Sequence, residues 1–516
     1  MAAGTILSRA TGFGRVFALA YALGFTRLAD AYNLANTTPN ILYDLVLGGI
    51  LSATLVPVFV THLDRADEDD PWRSVSAVVT VSAVLLAALS ALFAIVAPLV
   101  IRLYTALNNT GSAGDERAVA TTLLRYFAPQ VFLLGIIAVT AAILNARRNF
   151  ATPAFSPVVN NVVAIVVLLA TPHVAHRLGL GDVRHDARAL AFLGLGTTAG
   201  YLAQALYQLP AMRRAGVHLR WVWDLREPAV RRVARLSTWT FGSVLTNQVA
   251  FFVVLVLAAR ADGGVSSYSA AYLFFQLPYA IFTVSVMRAL QPDLAAAWSS
   301  GDVDRFRTQL GDGLRLTASL LVPAAAGYAV LGRPIIQLVL EHGRLSHGQA
   351  LVTADTLSLM ALGLPGFSAY LLLISAYQAM QDTRTMFFLY GLENAVNVVL
   401  AVALFPSLGV QGLAIALASA YAVGFATAFA HLRHRARGAD GSALASVVLR
   451  VVAASLLMLV IVLVISHGIG SGRAIRTATA VIGSVVAGGT VYVVAARLLG
   501  VTEVSALLSR LRRPRQ

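Results

Sequence analysis

The side chains most able to do chemistry in this 516-residue sequence are charges set inside apolar runs. Arg9 and Arg15 lie in the first such run, around Gly12 and Gly14. On a helix rising about 1.5 Å per residue they stand about 9 Å apart, which puts Arg15 near mid-membrane. A charge at that depth is costly and turns to a bundle interior or a watery cavity. Arg9, closer to an end, can snorkel to the surface, but Arg15 cannot. The pair therefore suits an anionic ligand, with structural ion pairing as the alternative.

A second set is Asp30, Asn33, Thr37, Asn40 and Asp44. Their spacing of three and four residues places all five on one helical face, which lines something wet or forms a hydrogen-bonded seam. Pro39 within it is expected to kink the helix and free carbonyls toward the same side. Asp44 should either pair with an arginine, Arg15 or Arg288, or carry a proton. Asp30 is expected to engage Arg9 or Arg15 when no ligand is bound. Further along, Glu393 and Asn397 stand one turn apart and form a candidate cation site. Asn160, Asn161, Asn247, Gln248 and Asn394 read as polar glue between helices, and Arg288 as a snorkelling anchor.

Enzymatic signatures are faint. Asp67-Glu68-Asp69-Asp70 has the acid-x-acid spacing that can hold a magnesium diphosphate, yet beside Pro71 it reads as a solvated turn. His173 and His176 have metal-like spacing without a carboxylate in register, so no metal site is assigned. With no cysteine there is neither a disulfide framework nor a thiolate. No catalytic residue and no cofactor are assigned, which leaves coupling to an ion or to the membrane potential open.

The elements that position these groups are membrane spans. The chain is 58% hydrophobic and only 12% charged, with a mean hydropathy of +0.74, where soluble domains carry roughly 25% charged residues. Apolar runs of about 20 residues recur along it. Cutting at polar, Gly-rich and Pro-rich breaks predicts an all-α polytopic protein of about fourteen helices, among them 5–25, 30–60, 188–210, 234–259, 385–405, 444–467 and 475–499. The formal charge of +15 comes from arginine alone. Its clusters at Arg213–Arg235, Arg433–Arg437 and Arg510–Arg515 favour cytoplasmic N- and C-termini and contact with anionic lipid, not nucleic acid. Ala31-Tyr32 with Pro39 and Pro57 has a counterpart in Ala271-Tyr272 with Pro278 and Pro292, an offset of about 240 residues. That repeat fits two six-helix halves with two further helices appended.

Several motifs then combine into a resemblance: Ser8-Arg9, Gly12-Phe13-Gly14-Arg15, Ala29-Asp30-Ala31, Pro39-Asn40 and Val56-Pro57. They are followed by Ile143-Leu144-Asn145-Ala146 with Phe150, Pro153-Ala154-Phe155-Ser156-Pro157 and Leu206-Tyr207-Gln208-Leu209-Pro210. Gln276-Leu277-Pro278 and Gln381-Asp382-Thr383-Arg384-Thr385 complete the series. In this order they resemble the lipid II flippase family (MurJ or MviN), related to multidrug and polysaccharide exporters.

The resemblance implies two lobes, 1–210 and 234–431, around a central cationic cavity, joined by a basic cytoplasmic connection at 211–233. It also implies a lipid-tail groove from two helices in 444–499, followed by a basic tail at 500–516. The implied substrate is the undecaprenyl-diphosphate-linked muropeptide, flipped across the bacterial cytoplasmic membrane by alternating access for cell-wall synthesis. Cell-wall synthesis or division proteins are implied as partners. Arg9, Arg15 and Asp30 match family residues needed for function. Two departures thin the positive charge: Tyr43-Asp44 and Leu273 stand where members commonly place arginine. Val254 stands where some members place a sodium-binding acid, so that coupling is not implied. The rival readings are a flippase for another polyprenyl-diphosphate oligosaccharide, a drug exporter of the same superfamily, and a membrane-embedded glycosyl- or prenyltransferase using Asp67–Asp70.

Overall fold

A computed structural model describes residues 2–45, 71–108, 110–175, 177–224, 238–435, 441–469 and 474–503. Pro57, Asp67–Asp70, His176, Arg437, Arg510–Arg515 and the 225–237 part of the basic connection lie outside the described residues.

The described residues are helical and fall into two compact units, one reaching Ser266 together with His342–Ser346, the other beginning at Ser267. The first unit contains α1 (Ala2–Leu23), α2 (Arg27–Tyr43), α3 (Pro71–Tyr104), α4 (Ala113–Phe127), α5 (Pro129–Ala146) and α6 (Ala151–Val174). It continues with the short α7 (Leu180–His185), α8 (Ala187–Arg214), α9 (Thr238–Ala258) and the first turn of α10 (Gly264–Pro278). Here α6 packs against both α1 and α8, and α2 packs on α4. Gly12 and Gly14 face α6: a Cβ would lie 3.7 Å from Asn161 Nδ2 at Gly12 and 3.2 Å from Ile165 Cδ1 at Gly14. Asn161 ties the seam by donating to Ser8 O and Thr11 Oγ1, both at 3.1 Å.

The second unit takes the rest of α10 and then α11 (Val284–Ser299), α12 (Val303–Leu340), α13 (His347–Leu362), α14 (Leu364–Ala379), α15 (Thr383–Leu408) and α16 (Val410–Arg435). The appended helices α17 (Gly441–Ile469) and α18 (Ala474–Leu498) pair with each other and lie against α12. Their shared core is Leu331, Val451, Ala454, Met458, Val462 and Tyr492. Helices α13 and α14 bend by 51° at Gly363, where a Cβ would come within 2.5 Å of Ala418 Cα. Only a hydrogen fits at that crossing.

Of the fourteen expected spans, ten described helices are long and apolar enough to cross a membrane, and the bent α13–α14 pair makes eleven. The expected stretch 5–25 does not qualify, and 30–60 and 234–259 lie partly outside the described residues. Arginines lower the apolarity of α1, α2 has 17 residues and a polar stripe, and α9 offers only Val244–Ala258.

Pro39 does not break α2, which runs on to Tyr43. A π turn stands at Asp44 and Leu45. Pro278 is likewise followed by π-helical residues, Tyr279–Thr283, so both members of the sequence repeat carry a π turn after their proline.

Candidate functional site

The middle of α1 carries the candidate anion site. Arg15 is partly buried, and its Nη2 donates to the Tyr32 hydroxyl at 3.3 Å. Tyr32 is buried, shares a hydrogen bond with Thr197 Oγ1 at 3.2 Å, and sets its ring edge-on to Phe127 at 5.6 Å. A phenol anchored by α8 and α4 thus holds the guanidinium, and no carboxylate neutralises it among the described residues. The remaining donors of its planar fork suit a diphosphate. Arg9, two turns earlier, is exposed and has no hydrogen bond or ion pair among the described residues.

The polar stripe of α2 does not converge on one ligand. At its start, the fully buried Asp30 accepts at Oδ1 from the backbone N–H of Ser266 at 2.8 Å and from its hydroxyl at 2.7 Å. Asn33 Nδ2 donates to the same Ser266 Oγ at 3.0 Å. Asn40 turns back on its own helix to Asn36 O at 2.9 Å, and Asp44 accepts from Gln248 Nε2 at 3.0 Å. This corrects two expectations. Asp30 engages the first turn of α10 and neither Arg9 nor Arg15, because Tyr32 holds Arg15. Asp44 meets an amide from α9, not an arginine. Thr37 is half-buried, and Arg288 is exposed, as a surface anchor would be.

Two groups that sequence reasoning passed over complete the cluster at Asp30. Arg27, one turn earlier, reaches Glu116 Oε2 at 3.4 Å, the carbonyls of Ala259 at 2.8 Å and Arg260 at 3.3 Å, and Asp262 at 3.4 Å. Glu116 on α4 is fully buried and accepts from Asn108 Nδ2 at 2.8 Å. It was not singled out from the sequence. The signal was its register with Ala113, Val119, Ala120, Leu123 and Phe127, which form the buried face of α4. Gly263 sets the approach of this loop with a φ of +68°, and a Cβ there would lie 2.0 Å from Phe25 O.

In the second unit, Glu393, Asn394 and Asn397 are buried on α15. Asn394 donates to Tyr390 O at 2.8 Å within its own helix, and Asn397 Oδ1 has no partner among the described residues. Glu393 makes no hydrogen bond or ion pair among them either. Tyr370, Tyr390 and Tyr421 surround it, with Tyr370 at 6.0 Å from Tyr390 and 5.8 Å from Tyr421 between ring centroids. No group of three or more acidic or histidine side chains among the described residues is placed to hold a metal.

The Gln381–Thr385 motif is the start of α15. Gln381 takes a left-handed φ of 58°, and Asp382 caps the helix by accepting from Thr385 N at 3.1 Å and Oγ1 at 2.8 Å. Burial would raise the Asp382 carboxyl, but the Thr385 bonds and the charges of Arg435 and His431 hold it below the ordinary carboxylate range.

Residues 19–472 match the family model described as lipid II flippase MurJ. A probable lipid II flippase MurJ of Rhizobium meliloti is 29% identical over 415 residues, covering 80% of this chain and 75% of the relative. One from Rhizobium tropici is 26% identical over 518 residues, 99% of this chain and 95% of the relative. Among solved structures, an inward closed conformation of lipid II flippase MurJ superposes with a TM-score of 0.77 over 96% of this chain and 98% of that one, at 20% identity. That last likeness is one of fold.

Proposed function

Because the chain belongs to the lipid II flippase MurJ family, we propose that it carries the undecaprenyl-diphosphate-linked muropeptide from the inner to the outer leaflet of a bacterial cytoplasmic membrane, for cell-wall synthesis. The observation that carries the reading to a residue is Arg15, an intramembrane guanidinium with a phenol for support and no carboxylate paired with it among the described residues. Placing an arginine at mid-span costs roughly 2.5–3.5 kcal/mol on insertion scales. A diphosphate that binds it offsets that cost, whereas an internal ion pair would have spent the charge.

In this account Arg15 holds the diphosphate and Arg9, exposed on the same helix, receives it from the cytoplasmic side. Asp30, Asn33, Asn40 and Asp44 line or close the path. Glu393 and Asn397 take a coupling cation, an assignment supported by the unpartnered acid and amide oxygen on one buried helix face. Two six-helix lobes, 1–210 and 234–431, alternate access, the 211–233 connection and both termini are cytoplasmic, and helices within 444–499 receive the lipid tail. The arginine clusters support that orientation and contact with anionic lipid. Cell-wall synthesis or division proteins are the expected protein partners. No bond in the substrate changes, so the protein is a transporter rather than an enzyme. Loss of the family arginines at Tyr43-Asp44 and Leu273 supports one second reading, a polyprenyl diphosphate bearing a different oligosaccharide.

The test is complementation. Expressed in a bacterium depleted of its own lipid II flippase, this chain restores growth and cell shape. Failure to do so at normal membrane abundance contradicts the proposal, and rescue of a different lipid-linked sugar pathway selects the second reading.

A further inference from the structure

The cluster at the start of α2 holds more buried acid than base. Asp30 and Glu116 are each fully buried, and one oxygen of each is well served. Asp30 Oδ1 has the two Ser266 donors, and Glu116 Oε2 has Asn108 Nδ2 and Arg27 Nη1. Their other oxygens, Asp30 Oδ2 and Glu116 Oε1, are buried and have no donor among the described residues. A carboxylate oxygen sealed from water without a donor is strongly disfavoured, whereas a neutral carboxylic acid brings its own O–H.

The charges around the pair do not make up the deficit. Arg27 is the cation in contact, and it is divided among Glu116, two carbonyls and the largely exposed Asp262. Arg117, next to Glu116, turns away to Thr105 Oγ1 at 2.9 Å, Thr105 O at 3.0 Å and Asn108 O at 3.4 Å. Asp115 is engaged by Arg184, while Arg102 on α3 and Arg260 in the loop are exposed. Arg15 on α1 goes to Tyr32, and α5 carries no charged residue. Among the described residues, two buried carboxylates therefore face one partly buried guanidinium.

We propose that Asp30 and Glu116 hold one proton between them, forming a proton-binding site whose occupancy governs the hold of Asp30 on the first turn of α10. With the proton present the cluster is neutral, and Asp30 Oδ1 keeps both Ser266 donors. When it leaves for solvent, two buried negative charges share Arg27, one carboxylate must rehydrate, and the contact with Ser266 gives way. Sodium fits less well, since among the described residues the cluster offers two free carboxylate oxygens, Asp30 Oδ2 and Glu116 Oε1, and a hard cation seeks about six oxygen ligands. The inference rests on the transport reading only in making this release a step of flipping, not in the existence of the site.

Infrared spectroscopy of the purified full chain in lipid nanodiscs, titrated with alkali, reads the carbonyl stretch of a neutral carboxylic acid directly. The wild type shows a neutral-acid band that disappears on titration. Asp30→Asn and Glu116→Gln each lose it, because the acid left behind has Arg27 to itself. Glu116→Asp retains the band, which covers the case of an amide variant that fails to fold. A wild-type spectrum without a titrating band, or a band unchanged in both amide variants, overturns the proposal. So does sodium-dependent thermal protection of the wild type at alkaline pH that both amide variants lose, which would make this a sodium site. An intact band in a chain that does not flip lipid II would count against the transport reading alone.

Discussion

The two units bury charge in opposite ways. In the first, three intramembrane charges have an assigned neighbour: Arg15 has Tyr32, Asp30 has Ser266, and Asp44 has Gln248. In the second, Glu393 lies among tyrosines with no donor of its own. The difference teaches where a ligand acts. A guanidinium set by a phenol is a preorganised anion receptor, needing no rearrangement before it binds. A carboxyl without a donor is incomplete until a cation or proton arrives.

The sharpest way to break the comparison is at Arg15. Arg15→Ala leaves expression intact and lowers flipping by roughly 100-fold, on the order of 3 kcal/mol for lost charge-assisted bonds. Arg15→Lys restores part of this, since a point charge lacks the fork that matches phosphate oxygens. Wild-type flipping by Arg15→Ala would reduce the residue to a packing role.

Next is Glu393. Glu393→Gln replaces a buried acid without changing its shape, so the variant melts at or above the wild-type temperature while its flipping no longer responds to sodium. Unaltered ion dependence would show that the second unit binds no coupling cation.

The crossing at Gly363 tests packing rather than charge. Gly363→Ala pushes a methyl onto the backbone of Ala418 and costs about 1–3 kcal/mol of stability, read as a lower melting temperature in detergent.

Smaller effects come from Asp382 and Asp44. Asp382→Ala loses a helix cap worth about 1 kcal/mol. Because its folded carboxyl titrates below the ordinary range, that contribution is complete above the ordinary carboxylate pKa and fades as pH falls through the lower folded value. Wild type and variant should therefore converge in melting temperature only in acid. Asp44→Asn can still accept from Gln248 and stays near wild type in rate and pH profile, whereas Asp44→Ala costs about 0.6 kcal/mol. A changed pH profile in Asp44→Asn would give Asp44 a proton-carrying role after all.

How much of this was legible in the sequence follows the physics of each feature. Apolar length and polar breaks announce spans, and Arg15 stands out because an arginine at mid-span is costly whatever surrounds it. The Asp30–Ser266 contact joins residues 236 apart in the chain, so no local spacing could reveal it. Glu116 was partly legible, since its register on α4 matches the apolar face, although Asp115 and Arg117 flank it.

The most direct test of the central claim is reconstitution. Purified chain is placed in vesicles loaded with labelled lipid II, and the fraction of label reaching the opposite leaflet is followed with a membrane-impermeant quencher, wild type beside Arg15→Ala. The account predicts time-dependent transfer by the wild type and a rate near that of empty vesicles for Arg15→Ala. Equal transfer by both, or none by a correctly folded wild type, would contradict it.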